Sequence, residues 1–321
     1  MAGRAFKPKL APSRTPHSFY PSSRYASFVK TVFSQNAIFL FAALFQLLVC
    51  VLLPDGFAIV PAAVLLLGYV LSSLLHLLSQ HHSTLLAWSP PSPYTEHVVP
   101  GRATAQFPSC SSSGGRAVFA SDTPASQGLV VFNLGVQTNH PLGWLCPGGR
   151  ETSEHFLAMH AELLRDRGGD SSQHGLIAGN TWRGNAGNNA STILVTYYFR
   201  DVRALHRFAH GPLHRAAWDW YGQGRRYPHI GVYHETFEVA PRSYETVYVN
   251  CSPIGLGAGS VRCGGGEGSG GGDSGGGGVP TDDHKGGEEE RWVNTLVSAD
   301  VPALKTQMAR MGRDEQGNEL R

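Results

Sequence analysis

The sequence predicts an α+β fold: a ferredoxin-like split βαβ unit preceded by an N-terminal transmembrane helical hairpin. Three observations predict it. A long apolar stretch lies near the start. A central core of about 130 residues, a common single-domain size, orders its strand and helix patterns as β-α-β-β-α-β. The segments flanking that core have the glycine, serine and proline content of connecting chain.

The hairpin comes first. "AIFLFAALFQLLVCVLL" (37–53) is followed by "PDG" and then by "FAIVPAAVLLLGYVLSSLLHLLS" (57–79). A helix needs ~20 apolar residues to cross the hydrocarbon core; the second segment clears that length and the first is at its short end. Pro54-Asp55-Gly56 is turn chemistry. Arg4, Lys7, Lys9, Arg14, Arg24 and Lys30 precede the stretch with no acidic residue among them, which holds the tail in the cytoplasm. A hairpin then returns the rest of the chain to the same side. A signal peptide would be shorter and earlier.

The core elements follow in order. "GLVVFNLGVQT" (128–138) alternates as a strand. "TSEHFLAMHAELLRDRGG" (152–169) carries Phe156, Met159, His160 and Leu163 at helical spacing and stops at Gly168-Gly169. "HGLIAGNTW" (174–182) and "STILVTYYFR" (191–200) form a hairpin across a Gly/Asn-rich turn. Asp201 caps a helix to about His210, and Pro212 opens a second helical piece ending near Tyr221. "HIGVYHETFEV" is a fourth strand and "YETVYVNC" (244–251) a fifth. Both helices then cover one sheet face, and the other needs a partner, which predicts sheet-to-sheet homodimers.

The 321 residues thus divide into a basic tail (1–36), the hairpin (37–79), a linker (80–127), the α+β domain (128–259), and a Gly-rich linker with a polar, disordered tail (260–321). Deleting 263–321 is expected to leave that sheet-to-sheet dimer unchanged. A net charge of +2 gives no case for nucleic acid as a partner. Five cysteines without C-x-x-C fit a reducing compartment. The "CGGGEGSGGGDSGGGG" run matches a dinucleotide fingerprint only trivially, lacking the strand before it and the helix after it.

His234-Glu235 looks like the start of a zinc-protease signature, but the fifth position is Glu238 and the setting is a strand. No metal site and no cofactor are predicted. In a strand Tyr233, Glu235 and Phe237 share one face, His234 and Thr236 the other. The pair therefore has two separate roles, one residue toward the helices and one toward the dimer seam. Glu235 can serve as an ion partner of Arg200 or Arg203. On the helix after Pro212, His214, Trp218 and Tyr221 form one stripe, an imidazole beside two rings that suits a flat apolar substrate. The plain alternative for His214 is a core-edge imidazole bonded to a backbone carbonyl, and for Trp218 simple packing. Asn133 and Asn250 are possible donors on neighbouring strands, with capping as the alternative, and Tyr198 joins them as a substrate-side residue.

"VVFNLGVQTNHPLGW", "TILVTYYFRDVRALHRFAHGPLHRAAWDWY" and "HIGVYHETFEVAPRSYETVYVNCSPIGLG" together resemble a group of fungal and bacterial monooxygenase-like proteins of the dimeric α/β-barrel superfamily. Its fungal, membrane-anchored members of the fumagillin type belong to secondary-metabolite clusters. The resemblance covers about residues 128–259. It implies a membrane-anchored monooxygenase, multi-pass and facing the cytoplasm from the endoplasmic reticulum. A hydrophobic polyketide- or terpenoid-like substrate and O2 would be its partners, and His214, His234 and Glu235 its catalytic candidates. The superfamily also holds haem-degrading enzymes and structural proteins, so fold is safer than reaction. A non-catalytic barrel that binds a lipophilic ligand or scaffolds other enzymes, and an isomerase, cyclase or dehydratase working without oxygen, remain the alternatives.

Overall fold

The computed structural model describes residues 6–17, 19, 35–54, 56–82, 95–110, 117–119, 123–165, 175–186, 189–223, 227–263 and 291–319. Two helices occupy the segments expected for the hairpin, α1 (Gln35–Leu52) and α2 (Val60–His82). Gln46 of α1 donates from Nε2 to the Ala58 carbonyl at 3.2 Å, tying the first helix to the turn before the second. Among the described residues no helix is long and apolar enough to cross a membrane. Both helices nevertheless expose large apolar side chains along their length.

Three short strands follow, β1 (Val99–Ala105), β2 (Ser109–Cys110) and β3 (Ala117–Val118). The central unit then runs β4 (Leu129–Thr138), α3 (Gly149–Arg165), β5 (Leu176–Ala186), β6 (Asn189–Phe199), α4 (Val202–Ala209), α5 (Pro212–Gln223) and β7 (Ile230–Val239). Its four strands lie in the order β5-β6-β4-β7, with every neighbour antiparallel. This is the strand order of a ferredoxin-like α+β unit. Alternation decides its faces: Val130, Phe132 and Leu134 of β4 sit opposite Phe199, Tyr197 and Val195 of β6. They pack with Leu163 of α3 and Ala204, Leu205 and Phe208 of α4 into one core. Asp201 caps α4 as expected; its backbone is extended and its carboxylate accepts from the Ala204 N–H at 2.7 Å.

Several expectations are corrected outside that unit. The chain continues through β8 (Tyr248–Cys251), β9 (Ser260–Cys263), β10 (Arg291–Asn294), β11 (Leu296–Ser298) and a short helix α6 (Gln307–Arg310). The fifth strand therefore does not extend the main sheet: β8 pairs with β1, inside the supposed linker, and β1 pairs on its other edge with β11. The polar tail is also part of the fold. Val293, Val297 and Leu304 are buried with Phe6 and Phe119, and Asn294 donates to the Gly257 and Gly259 carbonyls at 3.1 and 2.7 Å. The glycine-rich run itself lies outside the described residues.

This added layer covers one end of the sheet face that faces away from the helices. Leu129, Val131, Ala178, Tyr198 and Val239 pack there against Ala105, Phe107, Leu256, Tyr244 and Tyr248. The face thus finds part of its cover within its own chain. What remains open carries Trp182 (44% exposed), Tyr233 and Phe237 (50%). Gly135 lets the Tyr233 ring lie flat on the sheet, because a Cβ there would collide with it. The cysteine expectation also changes: Cys263 is disulfide-bonded, whereas Cys50, Cys146 and Cys251 are free thiols.

Candidate active site

Between the helices and the helix-facing side of the sheet lies a cavity of about 420 Å³, within the size range of small-molecule sites. Three elements build its walls. The sheet supplies Leu134, Val136, Val232 and His234, α3 supplies Thr152, His155, Phe156 and Met159, and α5 supplies His214, Trp218 and Tyr221. The α3 residues stand one helical turn apart, so one stripe of that helix forms a whole wall.

His214 and His234 both line this space. His234 pairs in register with Leu134, on the helix-facing side, and its ring lies 5.6 Å from that of Phe132. The His214 ring stands edge-on to Phe208 at 5.3 Å. Burial holds its pKa below the usual imidazole value; a hydrogen bond to the Ala209 backbone opposes that shift, and nearby His234 and His210 reinforce it. The backbone bond named as the plain alternative is therefore present, yet the ring still borders the cavity. Tyr221 spends its hydroxyl on the Ile230 carbonyl at 3.1 Å, so it offers the cavity its ring. The Trp218 ring lies tilted against that of Tyr221 at 6.2 Å and is 58% exposed, placing it at the mouth. Trp218→Ala should consequently cost only about 1 kcal/mol of stability while weakening ligand binding, a split that denaturation and ligand titration together would measure.

The other sequence candidates lie elsewhere. Glu235 and Asn133 are register partners on the opposite face of the sheet. The ion pair proposed for Glu235 is not formed; Arg200 pairs with Asp201 at 3.2 Å. Tyr198 packs between the sheet and the added layer. Asn250, at φ +49°, accepts from the Gly101 N–H at 2.8 Å, a capping role. Sequence reasoning missed the contribution of α3, along with His210, Arg215 and Trp220, which also line the cavity. The stripe on α3 was visible as apolar spacing, but nothing local marked it as a wall instead of core. Just behind Phe156 and Met159, His160 shares a 2.9 Å hydrogen bond with the Tyr197 hydroxyl. Burial lowers the pKa of this imidazole and raises that of the phenol, so both are neutral in the fold. Among the described residues no group of three or more His, Cys, Asp or Glu side chains could hold a metal ion.

The arrangement is a largely apolar chamber bordered by four imidazoles, of which His214 from a helix and His234 from a strand stand beside each other across it, suited to moving a proton on an apolar molecule. The matching class is a monooxygenase: residues 129–256 fit the family model described as Monooxygenase af470-like. The chain belongs to this af470-like monooxygenase family, for it is 37% identical over 313 residues to Monooxygenase af470 of Aspergillus fumigatus, covering 97% of this chain and 99% of that protein. Among solved structures, SnoaB, a cofactor-independent oxygenase from Streptomyces nogalater, is similar at 13% identity and a TM-score of 0.24, over 34% of this chain and 91% of that one. The aldoxime dehydratase OxdRE is similar at 18% identity and a TM-score of 0.31, over 51% of this chain and 37% of that one. At these scores neither likeness bears on the reaction of this chain.

Proposed function

We propose that this monooxygenase is cofactor-independent and acts on a hydrophobic polyketide- or terpenoid-like intermediate of fungal secondary metabolism. The observation that carries the reading is the pair His214 and His234 on one apolar cavity. One imidazole removes a proton from an acidic C–H or O–H of the substrate. The resulting anion supplies electrons to O2 and forms a C–O bond, giving a peroxide that takes the proton back. Loss of water leaves one oxygen atom on the substrate as a carbonyl, so a methylene and O2 become a ketone and H2O. The apolar walls exclude bulk water from these steps.

The enzyme is membrane-attached through α1 and α2, at the endoplasmic reticulum, with its domain on the cytoplasmic side. The basic tail supports that side; the disulfide at Cys263 is the observation against it, since such bonds persist in oxidising compartments. Glycosylation of Asn250-Cys251-Ser252 or Asn189-Ala190-Ser191, seen as a glycosidase-sensitive mass shift, would reverse the assignment. The open sheet face with Trp182 and Phe237 pairs with a second copy, and a folded monomer at micromolar concentration in sedimentation would refute this.

The reaction is tested by comparing metabolites of a producing host with and without the gene, then supplying the accumulated compound to purified enzyme in 18O2. Oxygen uptake with one 18O atom in the product is expected. Equal turnover under nitrogen would instead show an isomerase, cyclase or dehydratase using the same imidazoles.

A further inference from the structure

We infer that residues 7–13 belong to the enzyme domain itself, bridged to its C-terminal strands at Pro8–Val297 and Ser13–Trp292, so that the hairpin of α1 and α2 dips into the lipid bilayer and returns its two ends to one face. This rests on the membrane attachment proposed above and adds its topology. Four backbone hydrogen bonds carry the pairing. Lys9 N donates to Leu296 O and Ser298 N to Lys7 O, both at 2.9 Å; Ser13 N donates to Trp292 O at 2.9 Å and Trp292 N to Ser13 O at 2.7 Å. The side chains agree with the backbone. Phe6 is buried in the cluster of Phe119, Val293, Val297 and Leu304, Leu10 packs on Val99, Ala103 and Leu296, and Lys9 Nζ donates to the Pro100 carbonyl at 3.0 Å.

Strands cannot pair through a bilayer. The N-terminal segment and the C-terminal strands are therefore in one compartment, and the chain between them crosses the membrane an even number of times or not at all. A single-spanning anchor is ruled out by this contact. The hairpin surface identifies lipid acyl chains as its partner. Phe39, Leu40, Phe41, Leu44, Phe45, Leu47 and Leu48 are each more than half exposed, and at 3.6 residues per turn they cover about two thirds of the circumference of α1; the remaining arc carries Ala42, Val49 and Gln46. An interfacial helix would keep a charged or broadly polar side; one whose polar side narrows to a single glutamine needs an apolar surround. The 18 residues of α1 span about 27 Å, just short of a hydrocarbon core of about 30 Å, which suits a hairpin that enters and turns back. Its mid-helix polar side chain is satisfied internally, by the bond from Gln46 to Ala58, as hydrocarbon requires.

Paired cysteines test both halves. In the full chain, with exposed Cys50 and Cys251 changed to Ser, Ser13→Cys and Trp292→Cys are introduced together and mildly oxidised in native membranes. Near-complete cross-linking by non-reducing peptide mass is expected, in protein that stays in the pellet after alkaline carbonate. Absence of the cross-link in folded, membrane-bound protein overturns the shared compartment. Cross-linked protein released by carbonate overturns the lipid partner and the membrane attachment with it, and leaves the strand pairing standing. Phe6→Ala gives a second reading that needs no new cysteine. It should lower the denaturation midpoint of the detergent-solubilised enzyme, and an unchanged midpoint overturns the packing of this segment on the domain.

Discussion

Replacing His214 or His234 with Ala should lower turnover roughly 10²–10⁴-fold, the usual worth of a positioned general base, with the fold and assembly retained. Both rings border a cavity and do not fill the core, so truncating either leaves no closed void. If the two imidazoles act as one unit, the double variant will be little slower than the worse single one. The wild-type profile provides an independent check. Burial depresses the pKa of His214, so the ring is neutral and able to accept a proton at neutral pH. Activity should fall only as pH drops through that lowered value. The stability consequence has the same direction: between the ordinary imidazole pKa and the depressed one the unfolded chain binds more protons than the folded one, so stability is lost as pH falls through that window. Normal turnover in both His→Ala proteins would remove the histidines from the mechanism. Loss of activity only together with loss of fold would make them structural.

The parts of this architecture that were legible in the sequence are those whose periodicity is local. The alternation of β4 and the spacing of α3 reflect burial on one face, and Asp201 and Pro212 mark helix starts by chemistry that needs no distant partner. The same logic put His214, Trp218 and Tyr221 on one stripe and separated His234 from Glu235. The added layer was not legible. β10 and β11 have four and three residues, too few for alternation to register, and they exist because β1, β9 and the N-terminal segment pair with them. That is also why Tyr198 and Asn250 were placed with the substrate: which sheet face a covering layer takes depends on strands far away in sequence. The wall contributed by α3 was missed for a related reason, since a stripe of Phe156 and Met159 reads the same whether it meets core or cavity.

Arg310→Ala should destabilise the domain by about 3–5 kcal/mol, the cost of breaking a buried ion pair from one side. The Arg310 side chain is 7% exposed and that of Glu245 22%, with Nε 2.7 Å from Oε2. The same guanidinium donates from Nη1 to the Leu304 and Lys305 carbonyls at 3.3 and 3.2 Å. It thereby pins the last helix, capped by Thr306 at the Ala309 N–H, to the segment between β7 and β8. Removing it strands a carboxylate and two carbonyls near the start of α6. Glu245→Gln should cost less, because the amide oxygen can still accept from Nε, though the cation loses its countercharge. Arg310→Met combined with Glu245→Gln should recover part of the loss, since no unpaired charge then remains. Urea denaturation of the four proteins gives these differences. The expectation that 263–321 is dispensable reverses for the same reason: its deletion removes Val293, Val297 and Leu304 from a shared core, and the shortened chain should not fold. An Arg310→Ala loss below about 1 kcal/mol, within the range of an exposed pair, would mean that the C-terminal layer unfolds separately from the sheet that carries the site.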